Sequence, residues 1–310
     1  MLVGTADLRS DSAVVERTRR TLEIMHRWGY APTLSVLARD LLGGGEDPSL
    51  VKDAIDAVSD IIRDGSFVFL LGSEHLVAKS GVRVASNKDL NGQAWAIARE
   101  YASDLVSVCP FVECLAISGS VASGGYDCSD DIDFDLFVKS GTKYTTYLLA
   151  TLVGLRYSLR YRHHELEPVH RTPLLPKIIC LNVVWTEDQT HPFVRRDADL
   201  AFELLRCSPV YGTRKFREVC NANPWATEYF PQLLAAHQVP QIPDLNTPFR
   251  RVLSAVAGHR IVLRVLEAAS RAAVWSLYHV VQWSRRANPE AVARNAFLRR
   301  VKWPYEVLQD

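Results

Sequence analysis

Residues 117–138 read ISGSVASGGYDCSDDIDFDLFV, and Asp131, Asp133 and Asp135 occupy positions i, i+2 and i+4 of an apolar run. In a strand successive side chains alternate faces, so the three carboxylates share one face while Ile132, Phe134 and Leu136 share the other. Like charges so placed repel, and burying each one unpaired costs several kcal/mol. The pattern therefore calls for a positive partner, and carboxylate oxygens suit a hard divalent cation such as Mg²⁺ or Mn²⁺.

A chain of 310 residues with 48% hydrophobic and 23% charged residues has room for two or three packed domains. A net charge of +1 makes no overall case for nucleic acid or an anionic membrane. The six cysteines (Cys109, Cys114, Cys128, Cys180, Cys207 and Cys220) form no C-x-x-C pair, which favours reduced thiols over a disulfide framework or a zinc site. The opening MLVGTADLRSDS lacks the basic-then-apolar layout of a signal peptide, and no apolar run reaches the ~18 residues of a membrane span. A cytoplasmic protein is expected.

Periodicity predicts a helix over 13–31, a short helix LSVLARDLL capped by Thr33, and a helix from Asp47 to the stop at Gly65. SFVFLLG and EHLVAKS read as two strands joined by a short turn. Three helices and a hairpin make a winged-helix pattern over 1–87. Its third helix opposes Lys52 and Arg63 to Asp53, Asp56, Asp60 and Asp64, a poor surface for phosphates. Further along, a helix over 88–108, the strand VECLAIS, a long helix after Gly141, the strand KIICLNVVW and a helix capped by Asp197 are expected. VYGTRKFREVCNANPWATEYFP reads as a helix followed by an Asn-Pro-Trp turn, 231–247 as a linker, and 249–286 as one continuous helix, with a last helix from Pro289. The expected class is α+β: a winged-helix module (1–87), a mixed-sheet core (88–235) and a helical domain (236–310).

Gly119-Ser120, ten residues, then Asp131-Ile132-Asp133 resembles the Gly-Ser-x(n)-Asp-h-Asp signature of the DNA polymerase beta-like nucleotidyltransferase superfamily, including the small bacterial members that adenylylate aminoglycosides. FLLGSEHLVAKSGVRVASN, CLNVVW, RRDADLAFELL and NANPW extend the similarity over roughly residues 14–235 to bacterial nucleotidyltransferase-domain proteins. Gly-Ser alone is a weak sign and Asp-x-Asp alone is common on solvated edges; the signature lies in their joint spacing.

The resemblance implies that Asp131 and Asp133 hold Mg²⁺ (or Mn²⁺) bridging the phosphates of a nucleoside triphosphate, with Gly119 and Ser120 against those phosphates. It implies transfer of a nucleoside monophosphate with loss of pyrophosphate. The family usually adds a third carboxylate on a neighbouring strand, where this chain offers Asn182, an oxygen ligand that carries no charge and cannot serve as a base. Asp135, Glu165 and Glu167 are the other carboxylates considered for that role. A one-metal enzyme, an unusual third ligand and a degenerate nucleotide binder all stay open.

Lys143, in the first turn of the helix after the acidic strand, is a phosphate candidate, with a solvated lysine as the plain alternative. Arg156, Arg160, Arg162, His163, His164, His170 and Arg171 form a basic stretch that suits a triphosphate or a solvated helix end equally well. The tail from Arg250 to Lys302 is rich in arginine, which fits an RNA-binding face, a lid or solvated helix faces. Near-neutral charge favours a small-molecule acceptor over a nucleic-acid end as the partner beside the triphosphate, and no membrane.

Overall fold

Small polar residues ahead of apolar runs fix where the first helices begin. The computed structural model describes residues 5–85, 87–127, 130–162, 177–235 and 239–289, together with 292, 293 and 296. Helix α1 spans Thr5–Arg27, α2 Leu34–Arg39 and α3 Pro48–Asp56. Thr33 accepts the backbone N–H of Val36 and Asp47 that of Ser49, each satisfying a donor that the first helical turn leaves over. Pro48 takes the first helical position, where a missing N–H costs nothing.

The third helix ends at Asp56, well short of the expected Gly65. Ile61–Asp64 forms strand β1, paired antiparallel with β2, Phe67–Leu70. The β-branched pair Ile61-Ile62 favours extended backbone, and Gly65, at φ 58°, makes with Ser66 a two-residue hairpin turn rather than a helix stop. EHLVAKS, expected as a strand, lies in helix α4, His75–Ala85. Leu76 and Ser80, four apart, are both buried on one helical face, and Leu76 packs with Ala31 and Phe69. Three helices still precede a hairpin, but the hairpin is β1–β2 and a fourth helix follows it.

Helix α5 (Asn87–Val108) leads into β3 (Val112–Ile117), the short α6 (Gly119–Ser123), β4 (Ile132–Val138), α7 (Lys143–Arg160) and β5 (Ile179–Thr186). Then come α8 (Glu187–Thr190), α9 (Ala198–Arg206), β6 (Ser208–Tyr211), α10 (Thr213–Ala222), α11 (Pro224–Tyr229), α12 (Pro248–Ala257) and α13 (Arg260–Arg285). The strand order is β5-β4-β3-β6, with β4 and β5 parallel and β3 antiparallel to both of its neighbours. This mixed sheet and its helices bear out the α+β class. A parallel pair needs a crossover, and α7 supplies it.

One face of β4 carries Ile132, Phe134, Leu136 and Val138 into the core. There Tyr101 of α5 lies 4.8 Å from the Phe134 ring and 5.6 Å from Tyr157 of α7. Burying a side chain such as Phe134 contributes roughly 1.5–3 kcal/mol. The other face carries Asp133, Asp135 and Phe137, the last packed on Trp185 and on Phe216 of α10.

Four details differ from expectation or lie beyond it. β6, which sequence reading missed, is four residues long and contains Pro209, as an edge strand permits. Pro224 opens α11 instead of closing a turn, and Trp225 donates to Asn223. The tail is not one helix, because Gly258 and an extended His259 separate α12 from α13. The helix expected from Pro289 lies mostly outside the described residues. Asp197 does cap α9, accepting the N–H of Leu200 at 2.9 Å.

Contacts divide the chain into two compact units. One joins 1–86 to 195–205 and 223–236, with Phe202 stacked edge-on against Trp28 and close to Phe230. The other holds the four-stranded sheet, α5, α7, α10, α12 and α13. Among the described residues no helix is long and apolar enough to cross a membrane.

Candidate functional site

Strand β3 runs into the Gly-Ser turn, which folds directly onto the acidic strand. Gly119 sits at φ +61°, a left-handed conformation that L side chains rarely adopt. A Cβ at this position would lie 2.2 Å from Oδ2 of Asp133, so only glycine lets the backbone rest on that carboxylate. The backbone N–H of Ser118 donates to the carbonyl of Asp133 at 3.0 Å and locks the turn to β4. The left-handed Gly124 then ends α6, with the N–H of Gly125 donating to the Ser120 carbonyl.

Asp131 and Asp133 come together as expected, but their third neighbour is Cys180. The carboxylate oxygens of Asp131 and Asp133 and the Cys180 sulfur all lie within 4.8 Å of one another. Cys180 is the register partner of Asp133 on the parallel strand β5. The register then slips: Phe134 pairs with Leu181 but Asp135 with Val183, so Asn182 is the extra residue of a bulge. Its side-chain amide donates to the Ser118 hydroxyl at 3.4 Å, and that hydroxyl donates to Oδ1 of Asp135 at 3.1 Å. Asp135 is fully buried. Asn182 and Asp135 thus meet through Ser118, deeper in the sheet than the rim where Asp131, Asp133 and Cys180 gather.

Among the described residues, Lys177 is the cation beside the carboxylates. Its Nζ lies 3.6 Å from Oδ2 of Asp131 and 2.8 Å from the Cys180 sulfur. Burial, reinforced by the Asp131 charge, pushes the Asp133 carboxyl up to about 8, with Lys177 holding it back. Burial also pushes the Cys180 thiol well above the usual range, against the pull of Lys177. Partial desolvation disfavours the charge on the half-exposed Lys177, yet Cys180 and Asp131 outweigh it and the ammonium titrates above ordinary lysine. Among the described residues the rim is therefore a crowded pair of acids and a thiol, with Lys177 as the neutralising cation.

Lys143 lies elsewhere. It opens α7 beyond the far end of β4, and a seven-residue strand spans about 20 Å. Its charge acts on Asp188 of α8, and its Nζ stands 5.9 Å from the Tyr144 ring. In the basic stretch, Arg156 bonds Asp104 and Arg160 bonds Glu100, both acids of α5. His163, His164, Glu165, Glu167, His170 and Arg171 lie outside the described residues.

Sequence reasoning missed Cys180, Lys177 and Ser118. The signal for Cys180 was its two-residue spacing from Asn182, which puts both on one strand face; the bulge decides which of them meets Asp133. Lys177 precedes the apolar strand as Asp131 precedes its own, and parallel pairing sets those two starts side by side.

No family model matches the chain, and no curated protein or solved structure matches it significantly.

The donor set suits a divalent cation in part. Two carboxylates a few ångströms apart fit a hard metal that takes its remaining ligands from phosphate and water. A thiol adds nothing for Mg²⁺, and Lys177 already places positive charge on the same oxygens.

Proposed function

We propose that the chain is a metal-dependent nucleotidyltransferase of the polymerase beta-like type. It moves a nucleoside monophosphate from a triphosphate to a small-molecule acceptor, with pyrophosphate leaving. The observation that carries this reading is the missing Cβ of Gly119 against the Asp133 carboxylate, which makes one unit of the Gly-Ser turn and the Asp-x-Asp strand. Asp131 and Asp133 would hold Mg²⁺ or Mn²⁺, and the ion when bound neutralises charge developing on the phosphates. The Gly119-Ser120 turn offers backbone amides to phosphate oxygens. Asp133, pushed up by burial, surrenders any proton it carries before both carboxylates can share a cation. Lys177, on a flexible four-carbon stem, is placed to exchange Asp131 for a phosphate.

A second reading, a nucleotide-binding protein without turnover, is favoured by one specific feature. Where a third acid would complete the site, Asp133 faces the Cys180 thiol, and Lys177 supplies the positive charge. Pyrophosphate release from nucleoside triphosphates separates the two readings. Binding of Mg-nucleotide without release selects the second, and no binding at all discards both. Incorporation of labelled nucleotide into RNA would move the acceptor from small molecule to nucleic acid. The N-terminal helices and hairpin we read as a winged-helix-like module without strong DNA affinity, because Lys52 on α3 is engaged by Asp56 at 3.0 Å. A cytoplasmic setting completes the proposal.

A further inference from the structure

We propose that Asp131, Asp133 and Cys180 bind a thiophilic divalent cation of the Zn²⁺ type in preference to Mg²⁺, and that this ion displaces Lys177. The inference concerns the same rim as the proposed transferase and deepens that reading, but its test does not depend on nucleotide transfer.

Two of the three donors are held by strand pairing, since Asp133 and Cys180 are direct partners on adjacent parallel strands. The third, Asp131, is the residue just before β4, and all three donor atoms lie within 4.8 Å of one another. Donors on one Zn²⁺, at about 2.0–2.3 Å from the ion, stand roughly 3.5 Å apart, so the cluster needs to close by about 1 Å. Gly119 lies against Asp133 so closely that a Cβ there would meet its carboxylate.

Ligand softness decides which ion is held. Mg²⁺ takes oxygen and leaves sulfur alone, whereas Zn²⁺, Co²⁺ and Cd²⁺ take thiolate readily. In binding, the Cys180 S–H bond breaks, the sulfur lone pair forms the bond to metal, and the proton passes to solvent. Lys177 marks the place where positive charge is wanted, 2.8 Å from the sulfur and 3.6 Å from Asp131. Its side chain is 41% exposed, so the ammonium can swing into water as the dication enters.

Full-length, metal-free protein titrated with Co²⁺ or Cd²⁺ alone should develop a thiolate-to-metal charge-transfer band at stoichiometric metal. Calorimetry should rank Zn²⁺ above Mg²⁺. Cys180→Ser should abolish the band and weaken Zn²⁺ by about tenfold or more while leaving Mg²⁺ affinity unchanged. Lys177→Gln should do the opposite and tighten Zn²⁺, a gain that mere structural damage would not produce. Cys180→Ala, with circular dichroism as a check on folding, serves if the serine variant is unstable. A band that persists without Cys180, equal affinity for Zn²⁺ and Mg²⁺, or no gain in Lys177→Gln would overturn the proposal. Mg-nucleotide binding in the same samples reads the transferase separately: if it persists without the band, only this inference falls. If the band persists without nucleotide binding, only the transferase falls.

Discussion

At the start of β4, Asp131 and Asp133 crowd the half-buried Cys180 thiol, with Lys177 beside them. Beyond its far end, Glu267 of α13 meets the first turn of α7. Glu267 accepts the N–H groups of Tyr144 and Thr145 at 2.7 and 2.9 Å and the Thr145 hydroxyl at 2.7 Å. Arg271, one turn further along α13, lies over the Tyr144 ring at 5.4 Å. That carboxylate satisfies donors which a helix start leaves over, and its charge complements the helix dipole. At the near end Lys177 stands 3.6 Å from Asp131, and Asp133 is pushed toward the protonated form. Carboxylates that stabilise a fold are met by hydrogen bonds, whereas carboxylates kept crowded despite the cost point to a ligand.

The sharpest break in this contrast would come from neutralising the near end. Asp131→Asn or Asp133→Asn should lower pyrophosphate release by about 10²-fold or more, since every ~1.4 kcal/mol of lost charge stabilisation is tenfold in rate. The melting temperature should hold or rise, because the substitution removes repulsion and no packing volume. The pH dependence follows the same logic. A carboxyl that titrates at about 8 when folded, against the ordinary 3.8, binds its proton more tightly in the native state. Its contribution to stability is therefore present at acid pH and lost as pH rises from about 4 to 8. Denaturant melts in chelator should show that decline for the native sequence and a flatter profile for Asp133→Asn. Near-native turnover in either variant would remove the dyad from the proposed chemistry.

Gly119→Ala tests the near end through shape alone. Left-handed backbone costs a non-glycine residue about 1–2 kcal/mol, before the contact with Asp133 is counted. Displacing that carboxylate by an ångström is expected to cost about 10²-fold in turnover. Activity retained in Gly119→Ala would mean that the turn does not set the carboxylate.

Parts of this contrast were legible in sequence and parts were not. The facing of Asp133 and Asp135 follows from period-2 alternation, and the glycine from its place between an apolar strand and a short helix. Asp47, Thr33 and Asp197 announced their helices because capping is local chemistry. The third helix was drawn too long because Asp64-Gly65 fits a helix stop as well as a hairpin, and only the pairing of Ile61 with Leu70 distinguishes them. Cys180 was passed over for Asn182 because a one-residue bulge in β5 has no local sign. Glu267 was invisible for a different reason. Its partners Tyr144 and Thr145 lie more than a hundred residues away, and no periodicity reports a contact of that separation.

At the far end, Glu267→Ala should cost about 1–2 kcal/mol of stability, as a lost helix cap does. Turnover per folded molecule should stay unchanged. Thermal melts alongside pyrophosphate release check this pairing, and a fall in turnover without a fall in stability would place α13 in the chemistry.

The smallest effect is expected at Lys143, a phosphate candidate from its place in the sequence with a solvated lysine as the alternative. It stands at the far end with Asp188 and Tyr144, about a strand length from Asp131. A partly solvated lysine at that separation is screened, since the Debye length at physiological salt is about 8 Å. Lys143→Ala should therefore leave Mg-nucleotide affinity unchanged and cost at most about 0.5 kcal/mol of stability, as surface substitutions do. Isothermal calorimetry with Mg-nucleotide decides the point. A clear loss of affinity would mean that the triphosphate reaches the C-terminal edge of β4, and the site would then span both ends of the strand.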